Sequence, residues 1–392
     1  MTTDQRLYLD HNATSPLRPE ARSAMLAAFD LVGNASSVHA EGRKARGMLD
    51  AARDAVANLC GGSARDVVFT GGGTEANNLA LTPGLQIGSD QRPITHCLVS
   101  AVEHVCVLEG HRFPSAQAER LGVDGAGIVR ASELEERLKR IEAAGGRALV
   151  AIQAANSETG IVQPIAEVSR LVHVHGGLLH CDAVQVAGKL PLDQVTAGAD
   201  MVALSAHKIG GPQGVGALVL RSGGISIADK MLRGGGQERG ARAGTENVAG
   251  IAGFGAAAGV VMAALSSESV RLRALRDEAE AAIVACAPDA MIFGAGTLRL
   301  PNTLAFAVPG LSAETALMGF DLGGVALSSG SACSSGKVKR SHVLEAMGIS
   351  SDMLTGALRV SFGWNNRPED VIRLASALET LLKRLKSRSR AA

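Results

Sequence analysis

Four stretches of this chain, residues 148–155, 178–181, 201–204 and 215–220, are largely uninterrupted runs of apolar side chains. A strand with one wet face alternates apolar and polar residues, whereas runs like these need apolar cover on both faces. That requirement restricts the chain to a mostly parallel sheet clothed by helices. The segments between the runs carry amphipathic helical patterns, the texture of successive βα units. Residues 66–70 and 95–100 read as further strands, and the glycines at 71–73 lead into a helix opening at Thr74. A capping box, Ser132 with Glu135 three residues on, predicts a helix start that places Leu134, Leu138 and Ile141 on one face.

The texture changes after Leu265, where a charged helical segment (266–285) precedes a strand at 302–308 and a closing helix at 370–386. This predicts a large α/β domain over residues 15–264, and a smaller α+β domain made of residues 1–14 and 265–392. A length of 392 residues suits such a division. Residues 248–265 carry no charge over 18 positions, the lower limit for a membrane span, but most are Ala and Gly, so a buried helix is expected.

Charge is nearly balanced, with 39 Lys+Arg against 38 Asp+Glu, so no global field favours nucleic acid or an anionic membrane. The six cysteines form no C-x-x-C pair, which argues against a disulfide framework or zinc ribbon and fits a reducing cytoplasm. The first residues show no basic stretch leading into an apolar run, so no signal or transit peptide is expected. His173, His175 and His180 match no metal-binding spacing, and no metal is expected.

In open α/β sheets ligands bind beyond the carboxyl ends of the strands, so the polar residues just after the apolar runs are candidates for chemistry. Gly71–Gly73 with Thr74 form a turn before a helix, where free backbone N–H groups suit a phosphate. Asp182 follows the run at 178–181, as a carboxylate at the mouth of the sheet or as a helix N-cap. Lys208 ends another run, and an ammonium enclosed there is a Schiff-base candidate. Phosphate cradle, acid and enclosed lysine together describe a pyridoxal 5′-phosphate site. Cys333 lies in SSGSACSSG (328–336), a small polar segment with Lys337, Lys339 and Arg340 behind it, the setting of a reactive thiolate. The other five cysteines sit in apolar or helical contexts and read as small core residues.

These residues lie in longer motifs. SAHKIGGPQGVG (205–216), YLDHNAT (8–14), GGGTEANN (71–78), Glu103-His104, HCDAVQ (180–185), RGGGQERGARAGT (233–245) and the Cys333 segment occur in order along the chain. Together they resemble the cysteine desulfurases of the NifS/IscS type, in the subgroup with a long cysteine loop, here about residues 328–341. The resemblance implies a fold-type I, class V aminotransferase-like homodimer, cytoplasmic, that binds pyridoxal 5′-phosphate. Its reaction would convert L-cysteine to L-alanine and leave a persulfide on Cys333 for a sulfur acceptor or iron–sulfur scaffold protein. A class V aminotransferase and a selenocysteine lyase are the enzymatic alternatives, and a non-catalytic scaffold the alternative of another class.

Carried over by position, Lys208 would hold the cofactor as an imine and move protons, Asp182 would pair with the ring nitrogen, and His104 would stack on the ring. Gln185, with Asn156 or Ser157, would contact the ring oxygen; Ser157 stands where the family usually has Asn. Gly73, Thr74, Ser205 and His207 would bind the phosphate, joined by Thr245 from the partner subunit. Arg359, with Asn34 beside it, would receive the substrate carboxylate.

Overall fold

The computed structural model describes residues 6–90, 92–221, 224–330 and 340–391. Its centre is a seven-stranded sheet. In spatial order the strands are Val67–Thr70, Gly216–Leu220, Met201–Ser205, Leu178–Asp182, Ala148–Ala151, His96–Ser100 and Ala118–Leu121. The last five are mutually parallel, and Gly216–Leu220 runs antiparallel to both of its neighbours. Successive residues supply opposite faces, as the two-residue period of a strand demands. Val150, Leu179, Val202 and Leu204 enter one core, while Leu149, Leu178, Met201 and Ala203 enter another. The unbroken apolar runs follow from this double burial.

A second sheet of four antiparallel strands joins Met291–Ile292, Thr303–Ala307, Leu358–Ser361 and Ser328–Ser329. Leu9 from the N-terminal segment packs with Leu304, Phe306, Val360 and the closing helix, and Leu7–Tyr8 pairs with Val325–Ala326. That closing helix spans Pro368–Ala391, longer than the pattern at 370–386 predicts.

The helix Val248–Cys286 links the two halves in 39 unbroken residues. Ile251, Phe254, Ala258 and Val261 pack in the core of the large sheet, and Leu272, Leu275 and Ile283 in that of the small one. The change of texture at 265 thus marks a change of core rather than a break in the helix. Its uncharged first half is long and apolar enough to cross a membrane, but in this structure it lies against the helices Pro19–Phe29 and Ala40–Leu59.

The capping box is not used. The helix begins one residue earlier, at Ala131, after an uncapped Arg130, so Ser132 lies inside the first turn. Leu134, Leu138 and Ile141 are buried on one face as expected. The loop 233–245 is tied beneath the large sheet by a buried ion pair. Both terminal guanidinium nitrogens of Arg53 meet Glu238, at 2.7 and 2.8 Å, and Glu238 also accepts the Phe69 N–H at 2.8 Å. Removing one member would strand a buried charge, a loss of about 3–5 kcal/mol.

Candidate active site

A cavity of about 310 Å³ opens at the carboxyl ends of the parallel strands, where the topology predicts one. Gly73, Thr74, His104, Ser157, Asp182, Gln185, Ser205, His207, Lys208 and Arg359 all line it. They come from separate parts of the chain, so the sheet is what brings them together.

Asp182 is the last residue of its strand. Its Oδ1 accepts the Val184 N–H at 3.0 Å, so the local cap-like turn and the cavity-facing carboxyl are one arrangement. Its Oδ2 accepts from Asn77 Nδ2 at 2.8 Å. Burial pushes the Asp182 carboxyl up, opposed by the Val184 N–H, His104, Asn77 and Lys208. A cation brought to this carboxylate would be stabilised by the same burial that disfavours it alone.

Lys208 follows the strand Met201–Ser205 in a short 3₁₀ turn, and its Nζ donates to the carbonyls of Asn12 (2.5 Å) and Ala13 (2.9 Å). Lys189 is buried behind it and donates to the Gln185 carbonyl (2.9 Å) and Oε1 (3.1 Å). Burial and the charges of Lys208 and Arg359 bring Lys189 down to about 7. Gln185, held so, gives its Nε2–H to the Asn12 carbonyl at 3.0 Å. The carbonyl of Asn12 therefore gathers donors from Lys208 and Gln185, a role that nothing in the YLDHNAT motif around it marks in sequence.

His104 caps a short helix, its Nδ1 accepting the Cys106 N–H at 3.2 Å, which leaves Nε2 to carry the proton when the ring is neutral. Burial lowers its pKa, as do Lys208 and His342, while Asp182 raises it. His207 Nδ1 meets Thr14 Oγ1 at 3.1 Å, and burial with the charges of Lys208 and Lys189 brings it down to about 4, a neutral ring at pH 7.

The phosphate end is built from glycine. A Cβ on Gly73 would stand 2.9 Å from Val184 Cγ2, and one on Gly216 would stand 2.5 Å from the Gly72 carbonyl carbon. Only glycine lets the turn at 71–73 settle onto the sheet and open the helix Gly73–Ala80 toward the cavity. At the opposite end Arg359 is 3% exposed; it donates to Asp10 Oδ1 at 2.6 Å and to the Ser157 carbonyl at 3.0 Å. Its buried Nε–H has no partner among the described residues. The donor set thus offers an acid for a protonated ring nitrogen, an amine for an aldehyde, a small-residue cradle for a phosphate and an unsatisfied guanidinium N–H for a carboxylate. It fits pyridoxal phosphate with an amino acid.

Three expectations depart from this picture. Asn156 does not reach the cavity, because its Oδ1 accepts Glu158 N–H, Thr159 N–H and Thr159 Oγ1 while its Nδ2 donates to the Val102 carbonyl. It holds the turn that presents Ser157. Asn34 is exposed and outside the cavity, its Oδ1 accepting the Ser36 N–H at 2.8 Å in a local turn. Cys106, expected in the core, lies on the cavity wall 3.5 Å from Asn77 Nδ2, its thiol raised to about 12, chiefly by burial.

Thr245 is exposed outside its own chain's cavity. Cys333 lies outside the described residues, but the ends of its segment do not. Ser328 pairs with Arg359 on the neighbouring strand, and Ser341 Oγ donates to buried Glu158 at 2.5 Å. Among the described residues no group of three His, Cys, Asp or Glu side chains could hold a metal. His173, His175 and His180 instead meet Asp200, Glu142 and Asn77.

The family model for class-V aminotransferases matches residues 7–374. A cysteine desulfurase of Cereibacter sphaeroides is 40% identical over 391 residues, covering 98% of each chain. The cysteine desulfurase IscS of Dictyoglomus turgidum is 36% identical over 98% of this chain and 96% of its own. Among solved structures, a NifS-like protein from Rickettsia africae superposes with a TM-score of 0.85 at 32% identity, over 97% of this chain and all of the other.

Proposed function

Because the chain belongs to the class-V aminotransferases, a pyridoxal 5′-phosphate-dependent family, we propose that it is a cysteine desulfurase using the cavity around Lys208 and Asp182. The convergence of Lys208, Asp182, His104 and Arg359 on one cavity carries this reading. The bound cofactor supplies an electron sink for bonds broken at the substrate's carbons. Lys208 would hold it covalently and move protons, and Asp182 would keep its ring nitrogen protonated. His104 would cover the ring face, and Gln185 with Ser157 would approach the ring oxygen. Gly73, Thr74, Ser205 and His207 would hold the phosphate, and Arg359 would fork onto the cysteine carboxylate.

The Cys333 thiolate attacks the substrate sulfur. The C–S bond of cysteine breaks as the S–S bond forms, and the carbon takes a proton to give alanine. The electron pair leaving sulfur stays with that carbon, so no outside oxidant or reductant is needed to form the persulfide. Sulfur then passes to an acceptor or scaffold protein of iron–sulfur assembly or thiolation, in the cytoplasm.

Exposed Thr245 supports a homodimer in which it completes the phosphate site of the partner. The separate cores of the two sheets support the division into residues 15–264 and residues 1–14 with 265–392.

The purified, pyridoxal phosphate-loaded protein should release alanine and sulfide in equal amounts from L-cysteine with a reductant. Without reductant, sulfur should remain on Cys333. Lys208→Ala should lower alanine formation by on the order of a thousandfold or more, and Cys333→Ser should abolish the persulfide. Neither product from a loaded wild-type protein would overturn the reading.

A further inference from the structure

His180 is a buried histidine that the proposed mechanism does not use, set two residues before Asp182 on the same strand and fully enclosed. Its Nε2 lies 2.7 Å from Asn77 Oδ1, and Asn77 Nδ2 lies 2.8 Å from Asp182 Oδ2. The same Nδ2 is 3.5 Å from Cys106 Sγ, so both amide hydrogens of Asn77 have acceptors. His180 Nδ1 is buried with no partner among the described residues.

Only one assignment of hydrogens satisfies this chain. If Asn77 were flipped, its oxygen would face the Asp182 carboxylate at 2.8 Å and repel it. With the amide nitrogen toward Asp182, its oxygen faces His180 and needs a donor there. That donor is Nε2–H. The other neutral tautomer would put two lone pairs face to face and bury an N–H at Nδ1 without an acceptor, a costlier loss than an unused lone pair. Burial, which brings the imidazole down to about 3, keeps the ring from carrying both protons.

We propose that His180 and Asn77 are positioning residues for Asp182: neutral His180, protonated at Nε2, orients the Asn77 amide, which fixes the carboxylate that meets the cofactor ring. Asn77 belongs to the helix Gly73–Ala80, whose first turn forms the phosphate cradle. The relay therefore ties the partner of the ring nitrogen to the partner of the phosphate and sets the distance between two anchors of one ligand. His104, Lys208 and Cys106 face Asp182 from the cavity side, while Glu103 and Cys181 complete its charged and titratable surroundings.

The relay rests on the reading of Asp182 given above, and the two are tested separately. In wild-type holoenzyme, ¹⁵N spectra of His180 should show a protonated Nε2 and a bare Nδ1 from pH 6 to 9. Asn77→Leu, which removes a hydrogen bond to the buried charge, and His180→Phe, which releases the amide that makes it, should each weaken pyridoxal phosphate binding by about tenfold or more. His180→Gln, whose amide can still donate to Asn77, should stay within about threefold of wild type. Protonation at Nδ1, a charged ring, unchanged binding in folded His180→Phe and Asn77→Leu proteins, or a His180→Gln loss equal to that of His180→Phe would each overturn the relay. The spectrum of the wild type decides even if a variant does not fold. Asp182→Asn with unchanged cofactor binding would instead overturn the reading of Asp182, whatever tautomer His180 holds.

Discussion

Asp182 and Glu103 are two buried carboxyls close enough to repel each other, and their surroundings oppose that burial to different degrees. Each Asp182 oxygen accepts a hydrogen bond, and the charges of His104 and Lys208 favour its ionised form. Among the described residues Glu103 has one donor, the Gln153 N–H at 2.6 Å to Oε1, and its Oε2 has no partner. Burial raises both, but Glu103 goes well above the carboxylate range with little to oppose it. Enclosure alone therefore does not make a functional charge; the donors arranged around it do.

The largest effect should come from removing the well-supported charge. Asp182→Asn keeps the size and the Asn77 contact but no longer holds a protonated ring nitrogen, and kcat for alanine formation should fall by about 10²–10³. A loss under tenfold would place the two carboxyls on the same footing and break the contrast.

Arg359 extends the contrast to cations. It already spends two nitrogens on Asp10 and the Ser157 carbonyl, and keeps a buried Nε–H in reserve. Arg359→Lys keeps the charge but loses the planar fork, so KM for L-cysteine should rise roughly 10- to 100-fold with a smaller change in kcat. An unchanged KM would remove Arg359 from substrate binding.

Lys189 is a cation that burial punishes strongly. Its pKa drops from 10.5 to about 7 on folding, a difference of roughly 4–5 kcal/mol against the charged form. Between those two values the unfolded chain binds a proton that the native chain does not, so stability rises with pH across that window, and the cost is fully present below pH 7. Lys189→Met should therefore be more stable than wild type at pH 6, with the gain shrinking toward pH 10, as read by denaturant unfolding at each pH. A constant difference would mean that Lys189 keeps its ordinary pKa and stays charged in the native protein.

How far the sequence could show all this depends on what kind of contact makes each residue matter. Lys208 and Asp182 stand at the ends of apolar runs, and parallel-sheet geometry sends such ends to one place, so their meeting was legible without a structure. Asn77, Asn12 and His180 act through partners 103 to 196 positions away, and nothing local marks them apart from the motifs they sit in. Asn156 and Ser157 show the limit at single-residue scale. They are adjacent, and only the turn decides that one saturates its own backbone while the other faces the cavity. Cys106 was hidden similarly, because His104 caps the helix and sets which face of that short element looks inward. The texture change at 265 located the handover between cores but not the continuity of the helix, since composition reports burial partners and not backbone hydrogen bonds.

The smallest effect on activity should come from Glu103, and it is the sharpest check on the comparison. If its carboxyl is neutral in the native state, Glu103→Gln replaces an acid by a near-isosteric amide, and alanine formation should stay within about threefold of wild type. Stability carries the signature. Above the ordinary carboxylate pKa the native chain keeps a proton that the unfolded chain has released, so wild-type stability falls as pH rises toward the elevated native value. Glu103→Gln has no such proton to lose, and its stability relative to wild type should grow from pH 5 to pH 8. A difference that stayed constant over that range would show Glu103 ionised in the native protein, with donors as effective as those of Asp182.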